Sequence, residues 1–69
     1  MMNGLVVKRG DYYVARISAK SAFYDKAGNL WSKELQAARD FTTELMARRE
    51  AQRVGGIVRE KKDGRLVEA

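Results

Sequence analysis

Cysteine, histidine and proline are all missing from the 69 residues. Without a thiol or an imidazole the only metal ligands left are carboxylates and amides, so zinc, copper, haem and iron–sulfur centres have no ligand set. Disulfides are excluded. Ser18, Ser21 and Ser32 have no imidazole to activate them, and pairing with Lys20 or Lys33 would need a desolvated lysine that so thin a core does not supply. The nine acids stand apart as Asp11, Asp25, Glu34, Asp40, Glu44, Glu50, Glu60, Asp63 and Glu68. No D-x-D or E-x-x-E pair offers a calcium loop or a two-metal site. The six glycines are spaced as turns, without a G-x-G-x-x-G or Walker pattern. No catalytic residue, metal or cofactor is therefore expected.

Long apolar runs are missing too. Nothing approaches the ~18 apolar residues of a membrane span, and Met1-Met2-Asn3-Gly4 lacks the basic stretch and apolar block of a secretion signal. The expected location is the cytoplasm, with no membrane partner. Leu, Ile, Val and Phe number 15 of 69, just above the roughly 20% level at which charged chains stay disordered. A chain of this length buries about 60% of its unfolded surface, which suits one thin core and one domain over residues 1–69.

What is present reads as hairpins around a helix. Leu5-Val6-Val7 and Tyr12 to Ser18 flank Arg9-Gly10-Asp11, which serves as turn chemistry; as an integrin-type tripeptide it would need an extracellular setting that nothing else supports. Period-two alternation puts Tyr13, Ala15, Ile17 and Ala19 on one face, the expected core face. Phe23-Tyr24 and Leu30-Trp31 flank a second turn, Asp25 to Asn29. Residues 32–54 fit either one helix or two elements. In the two-element reading a short helical turn covers Lys33 to Ala38, and a main helix follows a cap at Thr42. Glu44 then favours the positive helix start, and Phe41 staples onto Met46. This second reading is preferred, with Thr43, Met46, Ala47, Glu50, Ala51 and Val54 on the buried side, Glu50 at its edge. Gly55-Gly56 ends the helix through a positive φ. Asp63-Gly64 makes a two-residue hairpin turn that sets Lys62 against Arg65 and Arg59 against Glu68.

The charge is +5, from fourteen basic and nine acidic residues. Opposite the buried stripe, Arg48, Arg49 and Arg53 surround Leu45, a positive strip with one apolar anchor; the same pattern also suits a plain solvated face. Arg16, Lys20 and an exposed tyrosine of the Tyr12-Tyr13 pair form a second basic set, suited to nucleic acid. The basic residues are spread along the chain, +3 over residues 1–35 and +2 over 36–69, whereas a dedicated nucleic-acid binder concentrates them.

Taken together, Tyr12-Tyr13-Val14, the run Phe23-Tyr24-Asp25-Lys26-Ala27-Gly28-Asn29-Leu30-Trp31, Ala38-Arg39-Asp40-Phe41-Thr42, then Ala47, Ala51 and Gly55-Gly56-Ile57-Val58 resemble small phage and prophage proteins. In those a hairpin ending in an aromatic–Asp–x–x–Gly turn leads to an Ala-Arg-x-Phe-Thr segment, a helix and a closing strand. The similarity covers about residues 12 to 60. It implies a ββαβ-type fold and an accessory role in phage growth, by binding and blocking a host protein as inhibitors of the anti-CRISPR kind do. It carries over no catalytic residue and leaves the hairpin at Asp63 unassigned.

The expectation is thus an α+β fold, a small antiparallel sheet of hairpins packed on one main helix, with a C-terminal hairpin. The expected role is non-enzymatic binding, in a bacterial host cell, to a host protein or ribonucleoprotein complex with an acidic patch, through Leu45, Arg48, Arg49 and Arg53. The alternative is direct nucleic-acid binding through Tyr12, Arg16 and Lys20. Pairing into a homodimer is a third route by which so thin a core gains stability.

Overall fold

Turn-forming segments divide the chain into three hairpins, and a computed structural model describes them over residues 4–67. The strands are β1 (Gly4–Arg9), β2 (Tyr12–Val14), β3 (Phe23–Tyr24), β4 (Leu30–Ser32), β5 (Ile57–Lys62) and β6 (Arg65–Leu66). A 3-10 turn (Leu35–Ala37) and helix α1 (Glu44–Val54) lie between β4 and β5. All six strands form one sheet in the order β3-β4-β2-β1-β5-β6, antiparallel at every pairing. The helix packs on one face of it, so the fold is α+β, with β5 and β6 as the C-terminal hairpin. Among the described residues no helix is long and apolar enough to cross a membrane.

The hairpins form where turn chemistry allows. Arg9 pairs with Tyr12 across Gly10-Asp11, with Gly10 at φ 61°. Asp63 (φ 53°) and Gly64 (φ 77°) both adopt positive φ, as a type I′ turn requires, and Lys62 stands opposite Arg65. The expected Arg59–Glu68 pair lies outside the described residues. Asp25 holds the β3–β4 loop: its Oδ1 accepts from the Ala27 and Asn29 amides and its Oδ2 from Trp31 Nε1 at 2.8 Å.

The β1–β2 ladder ends after Lys8–Tyr13, because the extended segment from Ala38 to Phe41 lies between the strands beyond that point. Ala38 bridges to Ala15 and Phe41 to Leu5. The Arg16 amide donates to the Ala37 carbonyl, the Arg39 amide to Val14 and the Phe41 amide to Leu5. β2 ends at Val14 and the chain turns over Arg16 to Ala19, where the Ala19 amide donates to the Arg16 carbonyl, which overturns the expected four-residue core face. Tyr13 and Ala15 are buried, but Ile17 is 90% exposed, and Val14, expected on the outer face, is buried against the helix. The alternation stops because the chain turns away from the sheet after Arg16, the last residue bonded to the inserted segment.

The main helix starts one residue later than expected. Phe41 is tied to β1 and buried, so Thr42 is still leaving the sheet; Thr43 is the cap, its Oγ1 accepting from the Met46 amide at 3.2 Å. The Thr42 hydroxyl turns to Met46 Sδ at 3.6 Å, and Phe41 packs with Ala47 and Ala51 in the core while lining one groove with Met46, its expected staple partner. Of the expected buried side, Ala47, Ala51 and Val54 are buried, whereas Thr43 and Met46 are exposed and Glu50 sits at the edge. Gly55 closes the helix in the left-handed region (φ 73°, ψ 31°). The next glycine answers to contact: a Cβ on Gly56 would stand 2.7 Å from the Lys8 carbonyl oxygen.

Both faces of β1 are covered, which explains why Leu5-Val6-Val7 does not alternate. On the helix side Val7, Val14, Trp31 and Phe41 meet Ala47, Ala51 and Val54, where two alanines let α1 approach closely. On the other side Val6, Tyr13 and Ala38 pack with Leu35 and Leu66. There Lys61, 3% exposed, reaches Asp40 at 2.8 Å.

Candidate functional site: an arginine-lined surface

Three shallow depressions are linked in series, each sharing one arginine with the next. The first lies between α1 and the inserted segment, about 300 Å³, lined by Arg39, Phe41, Met46, Arg49, Glu50 and Arg53. Arg39 is common to the second, about 460 Å³, completed by Ala15, Arg16, Ile17 and Ser18. Arg16 is common to the third, about 350 Å³, where Lys20, Ser21, Glu34 and Gln36 are neighbours. The inserted segment makes this arrangement, since its backbone bonds to Val14 and Arg16 set Arg39 between Arg16 and the helix.

Around α1, at 100° per residue, Arg48 is turned about 140° from Arg53. The three helix arginines are thereby divided. Arg48 pairs with Glu44 at 2.6 Å on one flank, whereas Arg49 and Arg53 face Arg39 on the other. Leu45 stands between the flanks, 61% exposed. Arg53 is a clamp: Nε and a terminal nitrogen donate to the two Glu50 oxygens at 2.8 and 2.6 Å, and the other terminal nitrogen donates to Asn29 Oδ1 at 2.7 Å. It ties the β3–β4 loop to the helix. These bonds from Arg53 hold the Glu50 carboxyl below the usual carboxylate range and raise the affinity of Arg53 for its own proton.

Arg16, Lys20, Arg39 and Arg49 take part in none of the ion pairs among the described residues. The Arg39 guanidinium lies 4.9 Å from the Phe41 ring centre. Arg16 and Lys20 line one depression, as the sequence grouped them; Tyr12 lines none of the three. It is half-buried, edge-on to Phe23 at 5.4 Å, with Lys33 Nζ 5.4 Å from its ring.

Two elements of this surface were missed from sequence. Arg39 carries a weak signal, because Arg39-x-Phe41 in an extended segment puts both side chains on one face. Ile17 carries none, as its exposure follows from the early end of β2. A hydrogen bond from the Ala19 amide to the Arg16 carbonyl closes a turn beneath it, and the Arg16 amide is pinned to Ala37, so Ile17 is presented on a fixed loop. Compared with family models, with curated proteins and with solved structures, the chain matches none of them.

Proposed function

We propose that this protein works by stoichiometric, non-enzymatic binding, docking its arginine-lined surface on an acidic face of a larger protein complex and modulating that complex. The observation that carries the reading is the series Lys20, Arg16, Arg39 and Arg49 along linked depressions, four cations outside every ion pair of the described residues, with Ile17, Met46 and Leu45 exposed. Long-range attraction of such cations speeds encounter with an acidic partner, and a few desolvated apolar anchors supply affinity. Glu34 and Glu50 stand at opposite ends of the run, so an unbroken phosphate chain along it would meet both, whereas a folded acidic face can set its carboxylates between them. Aromatic stacking surface is also lacking there, since Phe41 is buried. The resemblance to small phage and prophage proteins supplies the setting we infer: a phage accessory protein in a bacterial cell, directed at a host complex such as a defence system.

The test is capture of partners by the tagged protein from bacterial lysate, with and without nuclease, beside the variant Arg39→Glu with Arg49→Glu. A protein recovered in stoichiometric amount despite nuclease, and lost with the double variant, is the expected result. Recovery that depends on intact nucleic acid makes nucleic acid the partner instead. Capture indifferent to both charge reversals removes this surface from the interface.

A further inference from the structure

We propose that the groove between Arg39 and α1 is a subsite for an acidic peptide segment, two carboxylates flanking one aliphatic side chain. The inference rests on the binding reading above and specifies what its partner presents at this position.

Charge sets the number of carboxylates. Three arginines line the groove against one acid, Glu50. Arg53 occupies both Glu50 oxygens and Arg39 acts on Glu50 only at a distance, so the cations without a direct ion pair are Arg39 and Arg49. Two carboxylates neutralise the groove, and more would repel one another and Glu50. Arginine suits this task because its planar fork binds a carboxylate through paired, charge-assisted bonds. Contact with the Phe41 ring covers Arg39 without consuming any of its N–H donors.

The floor sets the middle of the segment. Its accessible part is Met46, 45% exposed, with Phe41 buried beneath Arg39. Methionine is unbranched and polarizable, so it adjusts to a branched aliphatic side chain laid on it. At about 300 Å³ the groove sits at the small end of ligand-pocket sizes, which suits one such side chain and its neighbours. One wall is fixed, because Arg53 is braced by Glu50 and Asn29 together.

The test is an amide-resolved NMR titration of the full chain with the end-capped synthetic peptide GSELEGS, beside GSQLQGS and an eight-nucleotide oligothymidine. Saturable shifts of the Arg39, Met46, Arg49 and Arg53 amides with GSELEGS are expected. Binding should weaken about tenfold in Arg49→Gln, an exposed substitution that removes one charge-assisted contact. Met46→Ser should weaken it while leaving the dependence on acidic residues in place. Three results would overturn the subsite: no shifts with GSELEGS, equal shifts with GSQLQGS, or stronger binding of the oligonucleotide to the same amides. If the peptide fails while partner capture still depends on Arg39 and Arg49, the subsite alone falls. Failure of both removes the binding reading with it.

Discussion

Lys61 and Asp40 meet at 2.8 Å on the sheet face away from the helix, and the lysine is almost entirely withdrawn from water. The pair ties β5 to the segment that carries Arg39 and Phe41, with the Asp40 side chain 34% exposed. A buried ammonium without its partner is costlier than no ammonium at all. Asp40→Ala is therefore expected to destabilise the fold by about 2 kcal/mol, reduced from the fully buried case by the exposure of Asp40. Lys61→Met should change stability by less than about 1 kcal/mol, because the methionine stem replaces the packing. Urea unfolding midpoints at unchanged slope check the order of the two.

Acid should loosen the protein through Asp25 and Glu50. Trp31 Nε1, then the Asn29 amide, hold the Asp25 carboxyl low, and Arg53 does so for Glu50. Both carboxyls have lower affinity for protons folded than unfolded, so their contribution is complete above the usual carboxylate range and is lost as pH falls through the folded values. Stability should be flat from about pH 7 to 5 and decline below about pH 4. Asp25→Asn should shallow that decline, read by Trp31 fluorescence, since Trp31 is the reporter bonded to it. A decline of unchanged steepness would remove Asp25 from the account.

The consecutive glycines after α1 should respond to alanine for different reasons. At Gly55 the cost is conformational, about 1 kcal/mol for a left-handed residue with open space around its Cα. At Gly56 it is collision with the Lys8 carbonyl, which β1 holds in place, and about 1–3 kcal/mol is expected. Thermal unfolding of Gly55→Ala and Gly56→Ala distinguishes them.

Ile17 should separate binding from folding. Its side chain contributes little to the core, so Ile17→Ser is expected to leave stability within about 0.5 kcal/mol. An apolar anchor at an interface can nevertheless cost more than about 1 kcal/mol when truncated, so partner capture should weaken. Arg48→Ala, at an exposed pair with Glu44, should leave both within about 0.5 kcal/mol. Equal capture by wild type and Ile17→Ser would take this loop out of the contact surface.

Local chemistry alone determined the elements that short-range rules govern. Asp63-Gly64 set a hairpin because its turn demands positive φ at both positions. Gly55 ended the helix for the same reason, and Ala47, Ala51 and Val54 were legible as its buried side from their spacing. The lack of histidine and cysteine restricts the side-chain chemistry whatever the fold. Tertiary structure decided the rest by bringing together residues distant in sequence. The segment from Ala38 to Phe41 enters the sheet between β1 and β2 and holds Phe41 against β1, so that Thr43 and not Thr42 caps the helix, while the turn from Arg16 to Ala19 carries Ile17 outward. The same insertion sets Arg39 beside Arg49 and Arg53 and buries Lys61 against Asp40. Periodicity reports which way a side chain points along one element; it does not report which other segment competes for that element's backbone hydrogen bonds.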